Sequence, residues 1–134
     1  MKLRYGYIIA PILIAAVVLS LIVTAAPVLA LKVSGARLLA DVVPGETITH
    51  TMSIGIRESD PAMDMLVDVK GFGQSLDGSP RELEASEDTS PYSARTFITL
   101  DKISFHLDPG DSQVVTATIK VPANVDVGGR YALI

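Results

Sequence analysis

The chain has 134 residues, no cysteine, and 15 acidic against 11 basic residues, which gives a formal net charge of −4. This length supplies one domain at most, and the lack of cysteine excludes disulfides and thiolate metal sites. The acidic excess argues against nucleic acid as a partner, because nucleic-acid binding requires a basic face.

The first thirty residues are typical of an export signal or a membrane anchor. Lys2 and Arg4 precede an uncharged run that ends in small residues, as in a cleaved signal peptide. Uncleaved, residues 8–31 would form a hydrophobic helix of about 36 Å, long enough to cross a bilayer and hold the protein in the membrane. In both cases the basic residues stay inside. We therefore predict that residues 1–30 are a signal or anchor and that residues 31–134 are exported.

The exported part alternates apolar and polar residues with a period of two, which is typical of strands with one buried face. Its clearest runs are 48–56, 63–70, 97–100, 103–107 and 115–121, with weaker ones at 32–42 and 130–134. No stretch has a good helical period. The stripes Ile103, Phe105, Leu107 and Val115, Ala117, Ile119, Val121 are predicted to point inward. The methionines Met52, Met63 and Met65 are predicted to be core residues.

Two Pro-Gly pairs begin strands in the same way. Pro44-Gly45 and Pro109-Gly110 are each followed by an acidic residue and a Thr-rich run. Proline presets φ at the second turn position and glycine accepts positive φ at the third, so both pairs predict type II turns that lead into long strands. With about seven strands and short connections, the fold class predicted is all-β, an immunoglobulin-like antiparallel β-sandwich. The absence of Cys and Trp excludes the antibody type.

Residues 74–92 interrupt this rhythm. The stretch has nineteen residues, five of them acidic and two of them proline. Such long segments are often mobile or functional, so we interpret it as a loop between strands, with a binding loop as the alternative. At the C-terminus the sequence stops inside the apolar run 131–134, which leads us to expect a fragment or a domain truncated relative to its relatives.

Four segments together resemble prokaryotic cell-surface immunoglobulin-like domains. They are PGETITHTMSI, MDMLVDVKGFGQS, SARTFITLDKISFHLDPGDSQVVTATIKVP and GGRYALI. The resemblance covers residues 33–134 and is nearest to the WxL-interacting cell-wall proteins of Gram-positive bacteria and similar exported domains of archaea. It implies an immunoglobulin-like fold at the cell surface. In the WxL-interacting family such a domain is followed by a second domain and a C-terminal membrane helix, so a sequence that ends at Ile134 leads us to expect either a truncated chain or one without the wall-bridging role.

The histidines do not predict a catalytic site. His50 falls on the apolar face of its strand and His106 on the polar face of another, and no G-x-S-x-G nucleophile motif is present. The glycines of Gly71-Phe72-Gly73 lack the third glycine and the helix of a phosphate-binding loop. We interpret them as a strand end or a bulge. The sequence therefore predicts no enzyme and no catalytic or cofactor-binding residue.

A metal site is not predicted either. Asp60, Asp64 and Asp68 are spaced by four, and on a strand Asp64 and Asp68 would lie roughly 13 Å apart, too far to share one ion. The acidic residues of the 74–92 segment could bind calcium only if the segment folded back on itself; they are Glu82, Glu84, Glu87 and Asp88. Solvated acidity is the favoured interpretation.

Together these features predict a non-catalytic exported domain that binds a partner at the cell surface or has a structural role in presentation there. Its expected partner is a cell-surface protein or a cell-wall glycan. The alternative is an accessory domain of a larger secreted enzyme, such as a glycosidase, with the catalytic part elsewhere. A third candidate, a periplasmic pilus chaperone, would need a basic subunit-binding cleft and a second domain, and neither is visible in the sequence.

Overall fold

The computed structural model describes residues 30–134, and this part of the chain is all-β with antiparallel sheets. The helix predicted for residues 8–31 lies outside the described residues except for its last two positions. Between residues 30 and 134 no helix is long and apolar enough to cross a membrane. The elements of the described part are β1 (Lys32–Ser34), β2 (Thr47–Gly55), β3 (Met63–Leu66), β4 (Lys70–Gln74), β5 (Pro80–Leu83), a 3₁₀ turn (Arg95–Phe97), β6 (Ile98–Leu100), β7 (Ser104–Leu107), β8 (Ser112–Lys120) and β9 (Ala132–Leu133).

A four-stranded sheet of order β1-β2-β8-β6, here called the main sheet, dominates the structure. Its centre is the antiparallel β2–β8 ladder, which runs without a break from the pair Thr47–Lys120 to the pair Gly55–Ser112. Side chains at alternate positions on both strands point to the same inner face. The two strands predicted most strongly from the sequence therefore form one ladder.

The two Pro-Gly turns lie at opposite ends of this ladder. Gly45 has φ 88° and Gly110 has φ 84°, as the predicted type II turns require. Each turn closes with a backbone bond, from Glu46 N to Val43 O and from Asp111 N to Asp108 O. Because β2 and β8 are antiparallel, the turn that precedes one strand lies next to the end of the other strand. The repeated sequence pattern is thus the signature of one strand pair.

Shorter strands make up the rest of the described part and are here called the second layer. They are the β3–β7 pair, which packs against the inner face of the main sheet, and a three-stranded sheet of order β5-β4-β9. Leu107 of β7 and Val67, just after β3, meet Met52 and Val115 of the main sheet in one hydrophobic core. Met63 and Met65 pack against this core, which confirms the inward placement predicted for them.

Two predicted strands are shorter than the sequence suggested. The run 32–42 is strand only at Lys32–Ser34, because Gly35 turns the chain at φ 73°, where a Cβ would lie 2.6 Å from the Thr51 carbonyl oxygen. Ile103 was expected on the inner stripe but is exposed. There the chain passes from β6 in the main sheet to β7 in the second layer, so the alternation starts anew at Ser104.

Candidate binding groove

The second layer leaves one end of the main sheet uncovered, and a groove of about 790 Å³ lies there. Its floor is the inner face of the sheet, formed by Ile48, His50, Met52, Ile98, Ala117 and Ile119. Ile48 and Ile119 face each other in the β2–β8 register and are only half-buried. Farther along the same ladder, Met52 and Val115 are buried. The apolar stripe is therefore buried at Met52 and Val115 but only half-buried at Ile48 and Ile119, nearer the other end of the ladder.

Residues 36–43 form the first wall of the groove. They leave β1 at Gly35 and return to β2 through the Pro44-Gly45 turn. Among the described residues, none from 36 to 42 makes a backbone–backbone hydrogen bond. Leu39 in this wall is 86% exposed. The wall is thus a largely apolar segment in which every residue except Val42 is exposed.

Residues 125–134 form the opposite wall. Tyr131 ties this segment to residues 92–94, because its N–H donates to Tyr92 O at 2.8 Å and its carbonyl accepts from Ala94 N at 2.9 Å. Arg130 donates to the carbonyl oxygens of Asp126 and Gly129 at 3.0 and 3.1 Å. The guanidinium is therefore engaged in holding the loop in shape. Val127 and Ile134 remain exposed on the rim.

His50 occupies the inner face of β2, as the alternation predicted, and is half-buried in the groove floor. Its Nε2–H donates to the Gly35 carbonyl oxygen over 2.7 Å. This bond joins the floor to the start of the first wall. The side chain has a structural partner, and its position gives it a role in holding the wall in place.

The predicted 74–92 loop contains a strand, because residues Pro80–Leu83 pair with β4. A tight turn joins the two strands, with Ser75 N bonded to Ser79 O and Gly78 at φ 84°. The Asp77 carboxylate accepts the Ser79 N–H at 3.0 Å, and this bond lowers the pKa of Asp77. Half of the segment is therefore a β-hairpin, which the sequence analysis did not predict.

Ion pairs fasten the same segment to β4. Lys70 Nζ lies 2.7 Å from Glu84 Oε2 and 3.0 Å from Asp68 Oδ2. The hydrogen bond to Glu84, and next that to Asp68, raise the pKa of Lys70, while the bond from Lys70 lowers the pKa of Asp68. These carboxylates are exposed, so each pair contributes little stability. The acidic residues of this segment thus serve largely as partners of nearby cations.

Asp88 differs from Asp68 and Glu84 in burial, because its side chain is only 2% exposed. It accepts the Ser93 hydroxyl hydrogen and lies 3.3 Å from Arg95 Nε. The carboxylate sits directly over Gly71 of β4, where an added Cβ would collide with it. Gly71 and Gly73 lie within β4 and pair with Leu83 and Arg81 of β5 in an unbroken register. Our interpretation of these glycines as a strand end or bulge is therefore wrong. Glycine within a strand can mark such close approach, and that was the signal available.

The three evenly spaced aspartates go to three different places. Asp60 is buried and accepts the Arg57 N–H at 3.1 Å, which closes a turn. Asp64 lies opposite His106 in the β3–β7 register, with Oδ1 at 2.7 Å from Nδ1, and Asp68 pairs with Lys70. Within residues 30–134 no three His, Asp or Glu side chains gather closely enough to hold a metal ion.

His106 lies on the exposed face of β7, as predicted, between two carboxylates. Besides Asp64, it has Asp108 Oδ1 at 3.7 Å from Nε2. The hydrogen bond with Asp64, followed by the negative charges of Asp64 and Asp108, raises the pKa of His106. The cluster links neighbouring strands at the surface.

Comparison with family models and with curated proteins finds no match for this chain. Among solved structures it is similar to the ASH / PapD-like domain of human CEP192 (PapD-like domain 7), at 15% identity and a TM-score of 0.38. The alignment covers 69% of this chain and 61% of that one, so the chain spans less than two thirds of the length of that structure. Similarity at this level establishes neither a fold family nor a function.

Proposed function

We propose that this chain is an exported, non-catalytic surface module that binds an apolar segment of a partner protein in the groove. We further propose that it is an immunoglobulin-like sandwich related to the WxL-interacting cell-wall proteins. Export is supported by the composition of residues 1–30. Binding rests on one observation, the uncovered inner face of the main sheet between two exposed apolar walls. Exposed apolar surface of this kind often marks an interaction site.

The chemistry of the groove favours a protein segment over a glycan. A sugar presents many hydroxyl groups, and each one needs a hydrogen-bond partner when it leaves water. The charged or titratable residues that line the groove are few: Asp41, His50, Asp126, Arg130 and Tyr131. His50 and Arg130 are already bonded to backbone carbonyl oxygens. Aliphatic side chains of a partner would match the remaining surface directly.

A non-catalytic role is supported by the use of both histidines in structural contacts. His50 is bonded to the carbonyl oxygen of Gly35, and His106 to the carboxylate of Asp64. A hydrolase of the serine type needs a histidine placed between a nucleophile and a carboxylate. The environments of His50 and His106 do not supply that arrangement.

Site-directed photocrosslinking in the producing cell tests the groove. A photoreactive phenylalanine analogue would replace Val127, which is fully exposed on the groove rim. The matched control is Leu76, which is fully exposed in the turn between β4 and β5, away from the groove. Neither substitution disturbs the core. We expect a discrete protease-sensitive adduct from position 127 and none from position 76.

The outcomes separate the parts of the proposal. An adduct that resists protease but is cleaved by a glycan hydrolase would mean that the partner is a glycan and not a protein. Equal labelling from positions 127 and 76, or none from either, would remove the groove as a binding site. Export is tested separately by adding protease to intact cells, where the full chain should be degraded. A chain that stays protected until the cells are lysed would contradict export.

A further inference from the structure

The first wall of the groove has a second feature, a free backbone edge. Residues 36–42 contain neither proline nor glycine, and no residue between Gly35 and Gly45 lies at positive φ. Their N–H and C=O groups make no backbone–backbone bond within the described part of the chain. Such an edge is a template for pairing with another extended segment.

Three edge strands of the described sheets, β5, β1 and β6, carry the usual protection against pairing. β5 begins with Pro80, followed by Arg81 and Glu82, and proline and charge both disfavour strand addition. β1 and β6 are each only three residues long, and short edges offer few bonds. The segment 36–42 differs because it is longer and its centre is Leu38-Leu39-Ala40.

The charges of this segment are placed symmetrically about Leu39. Arg37 stands two residues before it and Asp41 two residues after it. When two copies of such a segment pair antiparallel with Leu39 opposite Leu39, each Arg37 lies opposite an Asp41 of the other copy. Opposite charges directly across an antiparallel pair are stabilising. Within residues 30–134 neither Arg37 nor Asp41 forms an ion pair, so both are available.

We infer that residues 36–42 are a self-association edge, at which a second copy of this chain pairs antiparallel about a two-fold axis through Leu39. This inference goes beyond the proposed function and does not depend on a ligand in the groove. The two-fold axis makes the contact isologous, so one free edge satisfies the other and no edge remains open.

The exposure of the side chains fits this register. Residues at 37, 39 and 41 share one side of an extended backbone, and residues at 38, 40 and 42 share the other. Leu39 is 86% exposed, whereas Leu38 is 44% exposed and Val42 is half-buried. The paired copies would therefore join Arg37, Leu39 and Asp41 on their outer side. Leu38 and Val42, the less exposed members of the other set, line the groove and would keep that contact.

The contact is small. Seven residues on each side bury much less than the roughly 1,200 Å² of a stable interface, so the pair is transient and depends on concentration. Retention at a membrane would favour it by raising the local concentration of the chain. A covalent trap is therefore the suitable measurement.

Cysteine crosslinking tests the register directly, because the natural chain has no cysteine. Antiparallel pairs place Cα atoms about 4.5–5.5 Å apart, within the range that a disulfide spans. Full-length Leu39→Cys, oxidised mildly in the cell fraction that holds it, should form a disulfide dimer. Its rate should exceed that of Ala36→Cys and Leu76→Cys by about tenfold. Position 36 lies in the same segment but faces residue 42 of the other copy, so it controls for register, and position 76 controls for collision.

Charge exchange in the Leu39→Cys background gives the second test. Arg37→Asp, or Asp41→Arg, places like charges opposite each other at two points, and each should lower the rate of dimer formation about three- to tenfold. The double variant with both changes restores opposite charges and should recover the rate. Both side chains are exposed and form no ion pair within residues 30–134, so the fold should tolerate the changes.

The inference fails if Leu39→Cys forms dimers no faster than the two controls. It also fails if the double charge exchange is as slow as the single changes, because the register would then be wrong. Crosslinking of Ala36→Cys above Leu39→Cys would indicate a different pairing. None of these results affects the groove proposal, which is read from adducts at position 127.

Discussion

The two ends of the β2–β8 ladder share one sequence pattern but differ in packing. Near the Gly55–Ser112 end, Met52, Ile54 and Val115 lie beneath the β3–β7 pair and are buried. Near the Thr47–Lys120 end, Ile48 and Ile119 continue the same stripe and line an open groove. Alternation therefore determines which side of a strand is apolar. Whether that side is covered depends on another part of the chain.

The largest effect should come from removing the cover. Leu107 reaches the core from β7 and is 2% exposed. Leu107→Ala leaves a cavity between the layers and should lower the free energy of unfolding by about 2–5 kcal/mol. Leu39→Ala, at the open end, should change it by less than about 0.5 kcal/mol. Urea denaturation of the purified protein measures both. Similar losses for the two variants would mean that the open wall is packed after all.

A glycine in the second layer should give the next largest effect. Gly71→Ala inserts a methyl group against the buried Asp88 carboxylate, which Ser93 and Arg95 hold in place. We expect a loss of about 1–3 kcal/mol in unfolding free energy. Gly73→Ala, in the same strand, meets only the tip of the Leu83 side chain at 3.1 Å and should cost less. Thermal or urea unfolding compares the two, and the reverse order would contradict the packing of Asp88.

One matched change on β2 sharpens the comparison between the ladder ends. Ile54→Val and Ile48→Val remove the same methyl group from the same face of one strand. At the buried position the loss should be about 1 kcal/mol, and at the half-buried position about half as much. The urea midpoints of the two variants report the difference when both variants have the same m-value, the slope of the unfolding free energy against urea concentration. If Ile48→Val were the costlier change, the groove floor would be covered in solution.

The smallest effect concerns pH and the pair His106–Asp64. The folded pKa of His106 is raised, so its stabilising contribution is present in full below the unfolded value of about 6.5 and is lost as pH rises through the folded pKa. The difference in unfolding free energy between wild type and His106→Gln should therefore shrink as the pH rises above about 6.5 and through the raised folded pKa. Asp64→Asn should remove most of this dependence. A difference that grows with pH would have the wrong sign.

Local patterns predicted the main sheet well. The runs 48–56 and 115–121 alternate strictly, and Pro44-Gly45 and Pro109-Gly110 demand a specific turn, so each segment is determined by its own residues. The inward positions of Val115, Ala117 and His50 follow from the same alternation. These predictions are confirmed because they need no information from distant residues.

Contacts between distant segments were not predictable in the same way. β5 lies in an acidic stretch without clear alternation, and it becomes a strand because β4 offers it an edge. Asp88 is buried because Gly71, seventeen positions earlier, leaves space for it. The groove depends on how far the second layer reaches across the main sheet. No local pattern carries that information.

By itself, the sequence determined the strands of the main ladder, their inner faces, and the two turns that begin them, because backbone geometry and alternation act within a few residues. Only the tertiary structure decided which part of the apolar stripe is covered, which glycine a carboxylate approaches, and which segment makes no backbone pairing among residues 30–134. Those features depend on the distances between segments far apart in the chain, and packing of the whole chain sets them.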